Sequence, residues 1–448
     1  MDGEKRASFG GKIGAILVSA GSAIGLGNIW RFPYIAGENG GGAFLCIYLV
    51  VALLLGLPIM LSEFSIGRAT RHNAVGAFRA LDKRWVFLGY NGVLASFLIL
   101  GFYFVVSGWT AGYMLFSLTG TLGNYSTGAE YTSLFEGFMS NPWQPLLCTL
   151  LFIFATHLIV ALGVQKGIER SSKVMMPLLF LAFIVLGINS LLLPGGEEGL
   201  RFFFEPDFSK VTGKTILLAV GQAFFSLSLG IGTMITYASY FKSDTNLKNT
   251  ALNVTLLGAS VAVLAGIVIF PAVFSTGIEP ASGPSLVFIT LPSIFQNMPL
   301  SGLWSTLFFF LLMVAALTST ISLHEVLTAY LQEEWQLSRR KAAWTTTLAT
   351  ALLASLASLS MGVLSDYTLF GLTLFDGLDY LTANIMLPIG GLLTCIFVVW
   401  RFDRKCFKAQ LSNDGRQPFA GFGVLLFLLR YLCPTVLLVM FLYNLGLF

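Results

Sequence analysis

The first long apolar segment of this chain is interrupted by residues that disfavour a continuous helix. It runs from about residue 14 to about residue 35 and contains Gly21, Gly25, Gly27 and Pro33. A break at membrane depth leaves backbone amide and carbonyl groups without helical partners. Such groups are tolerated only where they face protein or a ligand cavity. The interruption therefore predicts a membrane helix that is broken at a binding site.

Recurring apolar runs indicate an integral membrane protein. The chain is 56% hydrophobic and 11% charged, whereas soluble domains carry about 25% charged residues. A membrane-spanning helix needs about 20 apolar residues. Eleven such runs are present, at residues 14–35, 42–66, 87–117, 145–163, 173–194, 215–240, 251–275, 303–331, 342–363, 380–400 and 419–446. We therefore expect an all-α integral membrane fold with eleven transmembrane helices in one domain, residues 1–448.

Basic residues are divided unequally between the two sides of these helices. Of the 26 Lys and Arg residues, 21 fall on the side of the N-terminus and three on the other side, and Arg31 and Arg430 lie within apolar segments. The positive-inside rule then places the N-terminus in the cytoplasm. With eleven spans the C-terminus lies outside the inner (plasma) membrane. The net charge of +4 is thus a topology signal, and we expect no nucleic-acid partner.

The residues that usually carry catalysis or bind metals are scattered. The five cysteines and three histidines form no CxxC or HExxH pattern, and no Ser/His/Asp set is recognisable. The sequence therefore predicts neither a disulfide framework nor a transition-metal centre. It also gives no reason to expect an enzyme.

The segment at 215–240 repeats the interruption of the first segment. Its apolar residues surround small and polar ones, namely Gln222, Ser226, Ser228, Gly230 and Gly232. The two segments open two five-helix halves, at about 11–194 and about 215–400, and an extra helix follows at about 419–446. An odd number of helices per half inverts the second half in the membrane. Paired interrupted helices indicate a transport site near the midplane, although glycines alone can also serve helix packing.

Hydroxyl groups inside other segments suggest what this site binds. Thr318 and Ser319 are adjacent in the segment 303–331. Each can bond its own helix carbonyl, or both can coordinate a small cation together with carbonyls freed at the first break. Beside two broken helices we expect coordination. Tyr103 lies in mid-segment, where its hydroxyl needs a buried partner such as a substrate carboxylate.

Charged residues within or beside apolar segments have two interpretations. Arg31, Asp376 and Asp379 lie near the outer ends of their segments, where they predict a structural ion pair, an extracellular gate, or both. Three further ionisable residues are expected to be buried: Glu63, His324 and Glu325. They either relay protons or join helices by hydrogen bonds, and we favour the second interpretation.

Four motifs resemble those of the neurotransmitter:sodium symporter family, in its bacterial amino-acid transporter branch. They are residues 21–33, 38–44 (Glu-Asn-Gly-Gly-Gly-Ala-Phe), 166–170 (Lys-Gly-Ile-Glu-Arg) and 226–230 (Ser-Leu-Ser-Leu-Gly). The resemblance covers nearly the whole chain. It implies a sodium-coupled symporter that imports an amino acid by alternating access, with the bilayer and the substrate as its partners and an oligomeric state that stays open.

The resemblance implies two sodium sites. The second site would use the carbonyls of Gly21, Ile24 and Ala315 and the hydroxyls of Thr318 and Ser319. The first would use the Ala23 carbonyl, Asn28, Ser226 and the substrate carboxylate. Here Gly258 replaces a family Asn or Asp, and we expect its carbonyl to be committed to its helix. The first site is then weakened, or a water or small anion fills the gap beside Tyr48, Gln222 and Ser226. The number of sodium ions, one or two, and the role of chloride stay open.

The resemblance also implies a substrate pocket. The substrate carboxylate would meet Tyr103 and the amides of Leu26 and Gly27. Its amino group would meet the carbonyls of Ala23 and Phe225, near Ser226 and Ser228. The side-chain wall would be Ile99, Phe225, Ile231, Ser319 and Leu323. None of these is charged, which predicts a neutral, apolar L-amino acid. Gly25 stands where the monoamine branch carries an aspartate, which argues for a substrate that brings its own carboxylate.

The same resemblance implies two gates. Outside, Arg31 would pair with Asp379 or Asp376; inside, Arg6 would pair with Glu333. Two alternatives stay open: a proton- or mixed-cation-coupled transporter that uses Glu63 or Glu325, and, from another class, an ion channel. A channel would need a continuous polar pore.

Overall fold

The computed structural model describes residues 7–275 and 286–447. Within these ranges nine helices are long and apolar enough to cross a membrane, or ten if one bent pair is a single span. The helices of the bundle are α1 (Lys12–Ala23), α2 (Gly27–Glu38), α3 (Gly42–Thr70), α4 (Lys83–Leu118), α5 (Gln144–Ala161), α6 (Val164–Leu191), α7 (Gly213–Ser226), α8 (Thr233–Ala238), α9 (Leu247–Ser275), α10 (Ser301–Glu334), α11 (Arg339–Leu359), α12 (Leu374–Trp400) and α13 (Phe422–Asn444). The all-α membrane fold is confirmed.

The predicted sixth span is present as two short helices. They are α7, of 14 residues, and α8, of 6 residues. Neither has the length of a membrane crossing, so the count of eleven spans stays a prediction. The boundaries of the two repeats also stay predictions. Shorter helices lie between the bundle helices, at Ala74–Leu81, Gly128–Ser140, Gly196–Phe204, Leu286–Gln296 and Arg404–Ser412.

The first break separates α1 from α2 by a bend of 52°. Ile24, the residue that follows α1, has an extended backbone with φ −115° and ψ 95°. Gly25 is also outside regular helix and Leu26 begins the next turn, so backbone groups at this break are free to meet other elements. Gly27 is required here, because a Cβ at this position would lie 2.6 Å from the Phe225 ring.

The second break lies between Ser226 and Thr233. Three of its residues have positive φ: Ser228 at 52°, Gly230 at 80° and Gly232 at 74°. A Cβ on Gly230 would lie 2.6 Å from the carbonyl oxygen of Leu387, so α12 approaches this break at backbone distance. Ser228 is not a glycine, and a positive φ is uncommon for such a residue and frequent at functional sites.

The two breaks meet at the centre of the bundle. Gln222 Nε2 donates to the carbonyl of Gly27 at 2.8 Å, and Ser228 Oγ donates to the carbonyl of Ser22 at 2.8 Å. α4 and α10 pack along each other beside the breaks. They are the most enclosed long helices, because 83% and 72% of the 18-residue apolar stretch measured in each are buried inside the protein. α13 lies at the periphery, with 28% buried. The bundle thus places two broken helices between two buried, continuous ones.

Candidate functional site

A small cavity of about 30 Å³ lies between the two breaks. Nine predicted substrate residues line it, namely Gly27, Ile99, Tyr103, Phe225, Ser226, Ser228, Ile231, Ser319 and Leu323. One water occupies about 10–15 Å³ by this kind of measure, so the cavity holds about two or three waters. An amino acid requires its walls to move apart. Leu26, which was also predicted, lines a second cavity further out, and Ala23 is absent from both linings.

The hydroxyl of Tyr103 is fixed at the first break. It accepts a hydrogen bond from the backbone N–H of Leu26 at 2.9 Å and is hydrogen-bonded to Ser319. A Cβ on Gly25 would lie 2.7 Å from the Tyr103 hydroxyl and would also overlap the Ser319 hydroxyl. Only glycine fits there. The phenol, the hydroxyl and the freed amide together form a compact group of hydrogen-bonding atoms suited to a carboxylate.

The residues of the predicted second sodium site lie side by side. Thr318 Oγ1 lies 3.3 Å from the carbonyl oxygen of Ile24 and 2.9 Å from that of Ala315. Gly21 packs on the same threonine, because a Cβ on Gly21 would lie 3.4 Å from Thr318 Cβ. Ser319 follows in the chain, although its hydroxyl turns to Tyr103. The two interpretations of Thr318 are thus compatible, because it bonds its own helix and also faces the first break.

This second site consists of neutral oxygen atoms. In the ranges that the structure describes, no group of three or more His, Cys, Asp or Glu residues could hold a metal ion. Carbonyl and hydroxyl oxygens are hard ligands, which suit hard cations and not soft transition metals. Thr318 is buried, with 2% of its surface exposed, so a cation there would lose its bulk water.

The predicted first sodium site has a different chemistry. Asn28 is fully buried, and its Nδ2 donates to the carbonyls of Gly258 at 2.9 Å and Ala23 at 3.4 Å. Its Oδ1 has no hydrogen-bond partner among the described residues. A Cβ on Gly258 would lie 3.6 Å from the Ala23 oxygen and 3.9 Å from Asn28 Nδ2. Any side chain at position 258 would therefore point into this site.

The carbonyl of Gly258 has a further partner. We expected it to be committed to its own helix, and it also accepts the hydrogen bond from Asn28. A carbonyl oxygen has two lone pairs, so a helical carbonyl can take a second donor. The nearby Ser260 hydroxyl donates to the Leu257 carbonyl of its own helix, at 2.8 Å.

The polar residues beside the first site are closely spaced. The hydroxyls of Tyr48 and Ser226 lie 3.0 Å apart. Gln222 Nε2 donates a hydrogen bond to the Gly27 carbonyl, while its Oε1 has no partner in the described part of the chain. The Ser226 hydroxyl also donates to the Ala223 carbonyl, and a water or small anion beside these three residues stays a prediction.

The outer gate differs from the prediction. No ion pair within 4.0 Å joins Arg31 to Asp376 or Asp379 among the residues that the structure describes. The guanidinium of Arg31 lies 5.0 Å from the centre of the Phe225 ring, and Asp376 accepts from the Thr373 hydroxyl. All three predicted gate residues line one outer cavity of about 210 Å³. The charges thus face each other across a space instead of pairing.

At the inner end, Arg6 lies outside the described residues, so its pairing with Glu333 stays a prediction. Glu333 accepts hydrogen bonds from the backbone N–H of Asn73 at 2.8 Å and from its side chain at 3.0 Å. Phe9 is 1% exposed and packs edge-on against Tyr237 and Tyr240. The start of the described chain is therefore anchored beneath α8.

The other buried ionisable residues join elements, as we favoured. Glu63 Oε1 accepts from the backbone N–H of Gly230 at 2.7 Å, which holds the second break. Glu325 binds Arg339 through both carboxylate oxygens, at 2.7 and 2.5 Å. His324 Nε2 contacts the Thr347 hydroxyl at 2.9 Å. The Glu325 and His324 contacts join α10 to α11.

Sequence reasoning missed two residues that line the central cavity, Ser22 and Leu387. Ser22 lies inside the interrupted motif, so its position next to Gly21 was a usable signal. Leu387 carries no such signal, because it is one apolar residue among many in its segment. Gly25 and Asn28, which had other predicted roles, also line the cavity.

Comparisons with known proteins agree on the family. A model described as the sodium:neurotransmitter symporter family matches residues 6–134 and 135–448. YhdH of Bacillus subtilis, an uncharacterized sodium-dependent transporter, is 42% identical over 100% of this chain and 99% of its own length. An uncharacterized sodium-dependent transporter of Haemophilus influenzae is 36% identical over 99% of each chain.

A solved structure is similar over almost the same extent. The crystal structure of MhsT in complex with L-phenylalanine has a TM-score of 0.90 and 44% sequence identity to this chain. The match covers 98% of this chain and 100% of MhsT.

Proposed function

This chain belongs to the sodium:neurotransmitter symporter family, and we propose that it imports a neutral, apolar L-amino acid together with sodium by alternating access. The observation that carries this proposal is the position of Tyr103. Its hydroxyl bonds the freed amide of Leu26 and the hydroxyl of Ser319. Ser319 directly follows Thr318, which faces the first break. A carboxylate site and a cation site are therefore adjacent.

The walls of the central cavity support the choice of substrate. The side chains of Ile99, Ile231, Leu323 and Leu387 line it, and none of its lining residues is charged. A charged substrate side chain would lose its water without gaining a partner, which costs several kcal/mol. The similar structure of MhsT holds L-phenylalanine, an amino acid of the class proposed.

Sodium is proposed as the coupling ion, held mainly at the second site. Thr318 and Ser319 supply hydroxyls there, and Gly21, Ile24 and Ala315 supply carbonyls. The same geometry supports alternating access, since the central cavity is small and Phe225 and Tyr103 line both it and the outer cavity. A continuous pore would need an open polar path, so the geometry favours a transporter over a channel. By the positive-inside rule, we place the N-terminus in the cytoplasm and the C-terminus outside the plasma membrane.

Uptake into proteoliposomes tests this proposal. Full-length protein is reconstituted, and radiolabelled leucine, methionine, phenylalanine or tryptophan is offered with an inward sodium gradient. We expect uptake that disappears when choline replaces sodium and that is not restored by a proton gradient in choline. Tight binding of glutamate or lysine, with the four apolar substrates inert, would overturn the substrate class. Uptake driven equally by protons would overturn the coupling ion.

A further inference from the structure

Arg430 is the only charged residue of α13, and it is exposed. It follows the first residue of the helix by eight positions, inside a segment of π-type turns at Leu428–Leu432. α13 is the least enclosed long helix of the bundle. The flanking side chains Phe427 and Tyr431 are 59% and 52% exposed. Arg430 therefore lies on a face of the protein that meets lipid.

The protein supplies no anion to Arg430. Its guanidinium carbon lies 5.3 Å from the Tyr431 ring centre and 6.0 Å from that of Trp400. In residues 7–275 and 286–447 no carboxylate pairs with it and no hydrogen bond to it is formed. Neither α13 nor the stretch of α12 from Leu381 to Trp400 contains an acidic residue. Arg401, which follows Trp400, is bound to Asp82.

The depth of Arg430 in the membrane follows from Trp400, its neighbour on α12. Tyr380 and Trp400 are 40% and 53% exposed and are separated by 20 positions. At a rise of 1.5 Å per residue this is about 30 Å, the thickness of the hydrocarbon core. Exposed Tyr and Trp residues mark the two boundaries of that core. The Tyr380 hydroxyl donates to the Asn444 carbonyl, which fixes α13 beside α12 at the other end. The backbone of Arg430 is 14 positions from Asn444, about 21 Å, and therefore lies inside the core. Its long side chain extends to Trp400, which brings the guanidinium to the boundary that Trp400 marks.

We propose that Arg430, with Trp400 and Tyr431, binds the headgroup of an anionic phospholipid. A guanidinium has five N–H donors in a planar fork that matches a phosphate. The two rings contribute only cation–π contacts, so the N–H groups still need acceptors. At this depth the phosphate oxygens of lipid provide them, and an anionic headgroup adds Coulomb attraction. With the orientation proposed above, this lipid belongs to the cytoplasmic leaflet.

Lipid binding to the purified full-length protein, measured by native mass spectrometry, tests the site. The probes are phosphatidylglycerol and phosphatidylcholine of equal chain length. We expect the wild-type protein to prefer phosphatidylglycerol and Arg430→Gln to bind it about fivefold more weakly, the effect of one basic residue at an anionic surface. Arg430→Lys should bind with intermediate strength. Lys408→Gln removes an exposed charge on the loop helix Arg404–Ser412 and should change little.

Several outcomes would overturn the proposal. One is equal binding of phosphatidylglycerol by wild type and Arg430→Gln; another is an equal loss in Lys408→Gln. Inorganic phosphate that displaces the lipid at similar concentration would indicate a free-anion site. A dimer that depends on Arg430 with or without lipid would indicate a second copy as the partner. If Arg430→Gln does not fold, Trp400→Leu removes one ring and should weaken lipid binding. Binding is measured without transport, so the result is independent of the proposed function.

Discussion

The two predicted cation sites both use the first helix break but are built differently. The second site has a hydroxyl from a continuous helix, Thr318 on α10, facing the carbonyl of Ile24. In the first site the Asn28 amide donates to the carbonyls of Ala23 and Gly258. The Asn28 amide thus shares the Ala23 carbonyl with any cation, while its own Oδ1 has no partner among the described residues. Neutral oxygens alone form the second site, whereas an amide N–H group also takes part in the first.

This difference bears on coupling. A cation in the first site would compete with the Asn28 N–H group for the Ala23 carbonyl, while Oδ1, which has no partner among the described residues, could coordinate it. The remaining oxygens would come from Ala23, Ser226 and the substrate carboxylate, fewer than the six or so that a hard cation commonly takes. In the second site the hydroxyls of Thr318 and Ser319, which now bond carbonyls and Tyr103, would have to turn, but all five proposed ligands are oxygens. We therefore expect the second site to hold most of the coupled sodium.

The largest effect is expected from removing the hydroxyls of the second site. In Thr318→Ala/Ser319→Ala two of five oxygens are lost from a buried position. Each unreplaced polar contact is worth about 1–3 kcal/mol, so sodium affinity should fall roughly 30-fold or more. The measurement is sodium-dependent uptake at equal amounts of reconstituted protein. Thr306→Ala, at the outer end of α10, is the control. Unchanged sodium dependence in the double variant would place the site elsewhere.

The next effect concerns the substrate carboxylate, which the first site needs as a ligand. Tyr103→Phe keeps the ring and removes the hydroxyl that bonds Leu26 and Ser319. A hydrogen bond to a charged group is worth about 1.5–3 kcal/mol, so substrate affinity should fall about tenfold or more. Equilibrium binding of labelled leucine measures it.

Tyr113→Phe is the matched control for this variant. Tyr113 is equally buried, and its hydroxyl has no hydrogen-bond partner in the described part of the chain. We expect little change in leucine binding. If both variants weaken binding alike, the Tyr103 hydroxyl has no special role in substrate recognition.

A smaller gain is expected from restoring a side-chain oxygen to the first site. Sodium titrations of substrate binding should give a Hill coefficient near one in the wild type. Gly258→Asn should raise this coefficient or tighten sodium affinity by a few fold, because its side chain points at Ala23 and Asn28. Gly258→Ala adds a Cβ at this position without an oxygen and should show no gain. A wild-type coefficient near two, with no benefit from asparagine, would mean that the first site is already complete.

The smallest effect is expected at Glu63, which could carry a proton in place of a missing sodium ion. Its Oε1 accepts from the Gly230 amide at 2.7 Å, and a glutamine oxygen can do the same. Glu63→Gln keeps this acceptor and should therefore change sodium-driven uptake by no more than about twofold, the effect of less than about 0.5 kcal/mol. Glu63→Ala, which removes the acceptor, should be clearly worse. Complete loss in Glu63→Gln at normal membrane levels would support proton coupling instead.

Much of the fold was predictable because membrane helices and their breaks depend on residues that are close together in the sequence. Apolar runs of about 20 residues have few alternatives to membrane helices. Glycines inside them at 21, 25 and 27, and at 230 and 232, mark both breaks. Nine residues of the central cavity were also predicted. They came from recognisable motifs and from their resemblance to a family, not from periodicity alone.

The sequence by itself determined that this is an all-α membrane protein with two interrupted helices and neutral oxygens beside them. Tertiary packing decided which of these groups meet. It brought Leu387 into the cavity, turned Arg31 to the Phe225 ring and not to Asp379, and gave the Gly258 carbonyl to Asn28. The physical reason is the distance along the chain over which the interactions act. Helix formation and interruption depend on neighbours in the chain, whereas these contacts depend on the rotation and tilt of helices, which only side-chain packing across the bundle fixes.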